Sequence, residues 1–587
     1  MKSNEKLIQR VFFILVLSSL LIFAISIPLT HYNSLKLYLW KPGNSFYDFF
    51  ESLKINIYWK RHQCYEVGSI YPPLANLFYL LITRCMSVET LQQLDSLSDY
   101  SKIKALQECS IYFVLYMNAL LIFYYLVCTG WKKGSRLEKN IFAIAMLFTV
   151  PFLYQFERSN IIFLALLFTM LFFLWKDSEN KVLRELSYIS LAVAAGLKIY
   201  PAIFGLLILK EKRYKDTARL VLYGVLAFML PFLFYGGFHN VLLLLENMVQ
   251  TSGKFSMTRI GYQLDYFTVL KNLFAFAGSN SVFIGKVFQI AFALLGVWAA
   301  FGLRESWKTV LLLTCMVVGI PSISYVYAAI FMIIPIIMYL DSGNKKKSDF
   351  IYLAGMLLVV LPLPFCWKEG SGNAYYSYMN VSTPVWIEGI SITFMTALLI
   401  FDGLMHFFRK AKAALCSAVV LLLVLLLSIG VNRASYHAPF AYTDYLSRTL
   451  SNRVEAVDGD TVKQSFTAHD EFLNYIVLRL KPADSGSLTV SVKQADTKSD
   501  VFEQKYDMSE LERGYNQLEM ERCSLVPGES YVLELTVESE PDEKMQFWTT
   551  VPELDTGSEY FRLNEKSLDG ALGVQLYESR TASDRDQ

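Results

Sequence analysis

Long apolar runs recur through residues 1–433, and each is close to the length that crosses a bilayer. The first extends from Val11 to Leu29. A membrane-spanning helix needs about 20 predominantly apolar residues, and a chain with 54% hydrophobic and 18% charged residues is typical of a membrane protein. We therefore expect residues 1–433 to form a multi-pass α-helical membrane domain with about 12–13 membrane segments.

Basic residues between the runs predict the orientation of this domain. Lys2, Lys6 and Arg10 precede the first run, and no small-residue cleavage site follows it. We therefore expect a retained first helix and a cytoplasmic N-terminus. Residues 131–140 and 210–219 are also rich in lysine and arginine. Since such loops stay in the cytoplasm, the loop that follows the first helix should lie on the outer side.

Two apolar stretches leave the number of crossings open. Residues 71–84 are too short to span with confidence, so they either dip into the membrane and return or lie along its outer surface. Residues 187–210 are interrupted near Lys198 and flanked by basic loops on both sides. A hairpin of two short helices fits those flanks, and a single full span is the alternative.

The C-terminal part of the chain, residues 434–587, differs in composition. Residues 440–587 carry 29 acidic and 15 basic side chains, which leaves 23 acidic and 39 basic side chains for the rest. Short alternating segments separated by polar turns predict a β-sandwich, and an odd number of crossings places it outside the cytoplasm. The charge asymmetry is typical of membrane topology and gives no indication of nucleic-acid binding.

Asp48 is the candidate catalytic base in the loop after the first helix. It lies among Phe46, Tyr47, Phe49 and Phe50, which we expect to hold the loop against the membrane surface and to desolvate the carboxylate. Desolvation makes a carboxylate a stronger base.

Other acids and a proline pair accompany this candidate. Glu51 and Glu66 compete with it for the role of base. Tyr71 and Pro72 are candidate site-lining residues, as is Glu51, although the proline pair at 72–73 can equally serve to start a helix.

Lys198 is the most informative charged residue inside an apolar run. A lysine at the centre of a membrane helix costs about 2.5–3.5 kcal/mol and usually faces a cavity or a partner. It is therefore a candidate contact for an anionic phosphate, with Tyr200 beside it. The alternative is that Lys198 forms an internal ion pair or extends its side chain to the membrane interface. Arg158, followed closely by Asn160, is a second candidate, and the alternative is a salt bridge to Glu157 or solvation in the loop.

No metal site is expected from the sequence. The eight cysteines show no CxxC spacing, and free thiols are favoured over a disulfide among Cys64, Cys85 and Cys109. Asp458-Gly459-Asp460 has the Asp-x-Asp form of some metal–nucleotide-sugar sites, but its polar setting favours a β-turn.

Three stretches carry a resemblance to a known family: DFFESL…IYPPLANLFYLL at 48–81, FERSNIIFLALLF at 156–168 and GLKIYPAIFGLLIL at 196–209. With these segments the chain resembles the polyprenol-phosphate-sugar-dependent glycosyltransferases of the C superfamily. It is most similar to glycosyltransferase family 87, the mannosyltransferase-like group.

The resemblance implies an inverting hexosyltransferase, with mannose as the expected hexose and Asp48 as base. It implies that Lys198, Tyr200, Arg158 and Asn160 bind the donor phosphate. The implied partners are a polyprenyl-phosphate sugar donor, a glycan or glycolipid acceptor and the bilayer, and no cofactor or metal is required. A bacterial plasma membrane is the expected location. A flippase or transporter of lipid-linked saccharide is the alternative function, although no inverted repeat is evident.

Overall fold

The computed structural model describes most of the chain, including the regions around all the candidate residues. The described residues are 2–36, 46–66, 68–96, 108, 110–248, 263–274, 280–321, 324–343, 345–363, 383–408, 440–445, 450–541, 543–550 and 560–579.

The first part of the chain is helical. Its described α-helices are α1 (Lys2–Leu29), α2 (Asn33–Lys36), α3 (Tyr47–Ile55), α4 (Pro73–Thr83), α5 (Val88–Ser96), α6 (Ser110–Gly130), α7 (Arg136–Leu147), α8 (Val150–Arg158), α9 (Ile162–Trp175), α10 (Lys181–Leu197), α11 (Leu206–Lys210), α12 (Tyr214–Met229), α13 (Tyr266–Leu273), α14 (Asn280–Gly302), α15 (Ser306–Gly319), α16 (Ile333–Asp341), α17 (Phe350–Val360) and α18 (Thr383–Phe408). A further helical stretch covers residues 240–248. Short 3₁₀ helices include Tyr58–Gln63, Tyr200–Gly205, Leu230–Tyr235 and Val326–Met332.

Several of these helices are long and apolar enough to cross a membrane, which confirms the predicted fold class. Within the described residues they are Lys6–Leu29, Tyr112–Gly130, Tyr214–Tyr235, Phe283–Gly302 and Pro384–Phe407. The pair α7 and α8, bent by 53°, makes a sixth if it is one span. Other apolar helices are shorter, and the predicted total of about 12–13 segments stays a prediction. The predicted last span, 413–431, and the domain boundary at 433/434 lie outside the described residues.

Helices α9 and α10 run antiparallel because a short turn joins them. Asn180 caps α10 by accepting the backbone N–H of Val182 at 2.9 Å. At 1.5 Å per residue the 14 residues of α9 span about 21 Å, which is less than the roughly 30 Å of a bilayer core. Asn160, before α9, and Lys198, after α10, therefore lie at the same end of this pair.

The opposite end of the pair carries a cluster of ion pairs. Arg213 contacts Asp177, Glu211 and Asp216 at 2.9–3.2 Å, and Lys176 contacts Glu211 at 3.0 Å. These contacts join the end of α9 to the start of α12. The basic segment at 210–219 thus lies at the end of the helices away from Asn160 and Lys198.

Buried amides fix α3 against α4. Asn56 donates to the side-chain oxygen of Asn76 at 3.0 Å, and Asn76 donates to the Ser69 hydroxyl at 3.1 Å and the Tyr71 carbonyl at 3.3 Å. Pro72 is the N-cap of α4 and Pro73 its first residue, so the proline pair does start a helix. The same amides position Asp48, on α3, relative to Tyr71.

The C-terminal part is a sandwich of two antiparallel sheets, as predicted. Its strands are β1 (Phe440–Asp444), β2 (Leu450–Ala456), β3 (Thr461–Thr467), β4 (Phe472–Lys481), β5 (Ser487–Gln494), β6 (Asp500–Asp507), β7 (Gly514–Ser524), β8 (Ser530–Glu538), β9 (Met545–Thr550), β10 (Phe561–Leu563), β11 (Lys566–Ser567) and β12 (Val574–Ser579). One sheet has the order β1-β12-β4-β9-β2, with β7 also paired to β4, and the other β11-β10-β3-β8-β5-β6. Leu478, Val490 and Leu535 from the two sheets share one buried core.

The Asp-x-Asp segment of this domain is a turn between β2 and β3, as favoured from the sequence. Gly459 has φ +80°. Asp458 accepts the backbone N–H of Ser539 at 3.1 Å, and Asp460 accepts that of Val457 at 2.9 Å. The two carboxylates therefore stabilise local structure.

Glu578 is a buried carboxyl group on β12. Its Oε2 accepts the backbone N–H groups of His469 and Asp470 at 2.6 and 2.9 Å, while Oε1 has no hydrogen-bond partner among the described residues. Burial raises its pKa to about 7.

The cysteines of the described part are free thiols, as favoured from the sequence. Cys64 is buried and Cys85 is exposed, and neither forms a disulfide. Cys109 lies outside the described residues.

Candidate active site

Asp48 lies in the first turn of α3, where side chains from the end of α8 surround it. Its Oδ1 forms a salt bridge with Arg158, and its Oδ2 accepts a hydrogen bond from Asn160 Nδ2 at 2.8 Å. The side chains of Asp48 and Arg158 are only 13% and 12% exposed. Both carboxylate oxygens are thus engaged in a largely desolvated position.

An unusual backbone turn brings Arg158 and Asn160 to this carboxylate. Ser159, between them, has φ +50°, a left-handed conformation that is uncommon for a residue other than glycine. Its hydroxyl bonds to the hydroxyl of Tyr112. The Gln155 side-chain amide donates to the Asn160 carbonyl at 2.7 Å, and Asn160 Oδ1 accepts the N–H of Ile162 at 3.1 Å. These bonds stabilise the strained turn and fix the Asn160 side chain.

A second left-handed residue lies on the other side of the contact. Phe46 has φ +67° and is the N-cap of α3. Its backbone N–H donates to the Glu157 carbonyl, and its ring packs on Tyr112 with centroids 5.0 Å apart. The start of α3 is therefore attached to the end of α8 through backbone and side chains alike.

Tyr71 connects Asp48 to Lys198. Asn160 Nδ2, which binds Asp48, also donates to the Tyr71 hydroxyl at 2.8 Å. Lys198 Nζ lies 4.2 Å from the centroid of the Tyr71 ring, in a cation–π arrangement. No ion pair or hydrogen bond joins Lys198 Nζ to another described residue. In the described part of the chain this cation thus has no ion-pair partner; it lies beside Tyr71 and within electrostatic range of Asp48.

The break in the chain at Lys198 explains how this cation reaches the site. Helix α10 ends at Leu197, and Lys198 is extended, with φ −145° and ψ 127°. Tyr200 then begins a 3₁₀ helix that has Pro201 in its first turn. The predicted interruption at Lys198 is confirmed.

The other predicted site residues lie close by. Tyr200 is partly buried and within electrostatic range of the Tyr71 hydroxyl. Pro72, the N-cap of α4, is buried next to Tyr71. Glu51 lies one turn after Asp48 on α3 and is partly exposed. The structure therefore brings Asp48, Arg158, Asn160 and Tyr71 into direct contact, with the remaining predicted residues around them.

One expectation from the sequence is wrong, and the structure adds an unexpected partner for Arg158. Phe49 and Phe50 were expected against the membrane surface, yet they are 4% and 0% exposed and lie in the protein core. They face inward because α3 packs on α4 and α8. Arg158 was expected to contact a donor phosphate, with a salt bridge to Glu157 or solvation in the loop as the alternative; its guanidinium forms a salt bridge with Asp48, and the phosphate contacts of Arg158 and Asn160 stay predictions.

The sequence alone did not identify some residues of the site. Tyr327 is buried and stacks on Tyr154 with ring centroids 5.8 Å apart, within electrostatic range of Asp48, Tyr71 and Tyr200. It belongs to a different helical segment, 279 positions after Asp48 in the printed sequence. Tyr47, whose ring lies 4.9 Å below the Arg158 guanidinium, was considered only as a membrane contact.

The arrangement combines a desolvated carboxylate with two cations and several hydroxyl groups. Such a set can accept a proton from a hydroxyl group and stabilise negative charge on a phosphate. Among the described residues, no three His, Cys, Asp or Glu side chains lie together as a metal site would require.

Part of the chain matches a known protein family. The family model described as Glycosyltransferase family 87 matches residues 70–324. The matched region contains Tyr71, Arg158, Asn160 and Lys198, and Asp48 lies before its first residue. No curated protein matches the chain.

Proposed function

We propose that the chain is a membrane glycosyltransferase that uses a polyprenyl-phosphate sugar donor, which is supported by the match of the family 87 model to residues 70–324. In this proposal it transfers a hexose, mannose, to an extracytoplasmic glycan or glycolipid and inverts the anomeric centre. The donor class, the sugar and the acceptor extend beyond the family assignment.

Asp48 is the proposed general base. The acceptor hydroxyl gives its proton to Asp48 as its oxygen bonds to the anomeric carbon of the donor. The bond from that carbon to the phosphate oxygen breaks in the same step, and the phosphate leaves with the electron pair. A single displacement of this kind inverts the anomeric configuration.

Lys198 is the proposed contact for the departing phosphate. Its ammonium group has no anionic partner among the described residues, and a fixed cation stabilises the charge that develops on a leaving phosphate. Arg158 and Asn160 are positioning residues for Asp48, because they bind both of its oxygens. Tyr200, Pro72 and Glu51 line the same region. No metal or cofactor takes part in this mechanism.

The single observation that carries the proposal is the contact of Tyr71 with both halves of the site. Its hydroxyl shares the Asn160 amide with Asp48, and its ring lies beneath Lys198. A base linked to the Tyr71 hydroxyl and a cation over the Tyr71 ring, with no anionic partner among the described residues, suit a reaction that needs one group at the acceptor oxygen and one at the phosphate.

The proposed location is a bacterial plasma membrane. The N-terminus is cytoplasmic in this proposal, and the β-sandwich lies outside, on the same side as Asp48. The basic segment at 210–219, at the end of α9 and α10 away from Asn160 and Lys198, supports this orientation.

A transfer assay in vesicles tests the proposal. The purified protein is given radiolabelled polyprenyl-phosphate mannose and a membrane extract as the source of acceptor. We expect label in a product with the wild type and with Glu66→Gln, which changes an exposed acid of the same loop, and no product with Asp48→Asn. Movement of the intact donor across the bilayer without transfer would instead support a flippase, and full transfer by Asp48→Asn would remove this base.

A further inference from the structure

An apolar cavity of about 250 Å³ lies between α4, α6 and α9. Its walls are mainly aromatic and aliphatic side chains. Engineered apolar cavities of roughly 150 Å³ hold a benzene molecule, so this one has room for a longer hydrocarbon segment. The wall residues used below are Phe49, Leu115, Ala119, Ile122, Ser159 and Asn160.

The cavity opens toward the bilayer. Leu115 and Ile122 line it and are nevertheless 41% and 47% exposed. Both belong to α6, which is long and apolar enough to span the membrane and is mostly exposed in this chain. The exposed face of such a helix meets lipid, so this side of the cavity faces the hydrocarbon region.

The inner end of the cavity reaches the candidate base. Ser159 and Asn160 form part of its wall, and Asn160 donates to Asp48. Phe49, the residue after Asp48, also lines it. Lys198 and Tyr200 are not among the lining residues. The cavity therefore borders the part of the site that holds Asp48, and Lys198 does not line it.

We propose that this cavity holds the hydrocarbon chain of a lipid-linked acceptor and thereby brings the acceptor hydroxyl to Asp48. The inference rests on the proposed function and narrows the acceptor to a glycolipid. A donor chain is disfavoured, because the proposed contact of the donor phosphate, Lys198, does not line this cavity. The polar end of the acceptor lies at Asn160 and Asp48, and its chain extends past Ala119 toward the bilayer.

Alkyl glycosides of different chain length test the assignment. Transfer from polyprenyl-phosphate mannose is measured in vesicles with methyl mannoside and dodecyl mannoside as acceptors. We expect kcat/KM to be higher for the dodecyl compound. Ala119→Phe fills the cavity and should lower kcat/KM for that compound at least about tenfold, the effect of losing two buried methylene groups, without changing the rate with methyl mannoside.

Leu121→Phe is the matched control. Leu121 lies two residues further along α6, is 64% exposed and is not among the cavity-lining residues, so this variant should keep the preference for the longer chain. An Ala119→Phe enzyme that keeps the preference would overturn the inference. A raised KM for the donor with unchanged acceptor kinetics would also overturn it, in favour of the donor chain.

A labelling experiment gives an answer that does not depend on activity or on the folding of Ala119→Phe. Dodecyl mannoside with a photoreactive diazirine at the end of its chain is irradiated with the Asp48→Asn protein in vesicles. We expect adducts on α6 and α9, and no loss of labelling when polyprenyl phosphate is added. Labelling elsewhere, or displacement by polyprenyl phosphate, would overturn the inference. Full transfer by Asp48→Asn would count against the proposed base alone.

Discussion

Asn160 joins Asp48 to Tyr71 through one side-chain amide. Its Nδ2 lies 2.8 Å from Asp48 Oδ2 and 2.8 Å from the Tyr71 hydroxyl, while its own carbonyl and Oδ1 are held by Gln155 and Ile162. The orientation of the carboxylate is therefore determined by a side chain that is itself fixed on two sides. This makes Asn160 a positioning residue with a distinct expected effect.

Replacing Asn160 with alanine should lower kcat without weakening donor binding. The change removes the bond to Asp48 but leaves Lys198 in place. We expect kcat to fall about 10- to 100-fold, which corresponds to the loss of one hydrogen bond to a charged group. Steady-state kinetics with the polyprenyl-phosphate sugar check this. A large rise in the donor KM with constant kcat would place Asn160 at the donor.

Replacing Arg158 with methionine should destabilise the protein more in the wild-type background than in an Asp48→Asn background. The single change leaves a largely buried carboxylate without its partner, which typically costs about 3–5 kcal/mol. In the Asp48→Asn background residue 48 is neutral, so the loss of Arg158 leaves no buried carboxylate without its partner. A double-mutant cycle, measured by reversible unfolding in detergent, gives the coupling free energy between Arg158 and Asp48. Equal losses in both backgrounds would show that the salt bridge has no net effect.

Replacing Lys198 with methionine should raise the donor KM about 10-fold or more, while the acceptor KM stays the same. The variant keeps the length of the side chain but removes the cation that the proposal places on the phosphate. Lys198→Arg retains the charge and should recover part of the affinity. The check is steady-state kinetics with each substrate varied in turn. Unchanged donor kinetics in Lys198→Met would reduce Lys198 to a structural role.

The stability of the β-sandwich should fall as the pH rises from about 4.5 to about 7. The pKa of Glu578 is about 7 in the folded state against 4.5 for an ordinary glutamate, so the folded state holds a proton that the unfolded state has lost. The stabilisation is complete below about pH 4.5 and is lost as the pH rises through about 7. The expected loss in the free energy of unfolding is up to about 3 kcal/mol. Urea unfolding of the full-length protein, followed by hydrogen exchange in β4 and β12, measures this change.

Glu578→Gln supplies the control for that measurement. Glutamine occupies nearly the same volume and does not titrate, so the variant should show a much flatter dependence on pH across this range. If the wild type and the variant lose stability in parallel, another group is responsible.

The general architecture could be predicted from the sequence because hydropathy and alternation act locally. Apolar runs near 20 residues produced spanning helices such as Tyr112–Gly130, and alternating segments produced the two sheets. The Asp458-Gly459-Asp460 turn and the interruption at Lys198 also follow from neighbouring residues. These features depend on short-range chemistry, so a pattern of a few residues is sufficient.

The pairings within the candidate site could not be predicted in the same way. Arg158 and Asp48 are 110 positions apart, and which partner an arginine selects depends on how α8 packs against α3. The stacking of Tyr327 on Tyr154 has the same origin. Phe49 and Phe50 were assigned to the membrane surface because apolar side chains in a loop can meet either lipid or the protein core, and only the packing of α3 decides between them.

The most direct test of the account is a structure of the Asp48→Asn protein in lipid nanodiscs with polyprenyl-phosphate mannose bound. The account predicts the donor phosphate within about 4 Å of Lys198 Nζ, the range of an ion pair, and the sugar between that phosphate and residue 48. A phosphate bound away from Lys198, or a sugar whose anomeric carbon faces away from residue 48, would contradict it.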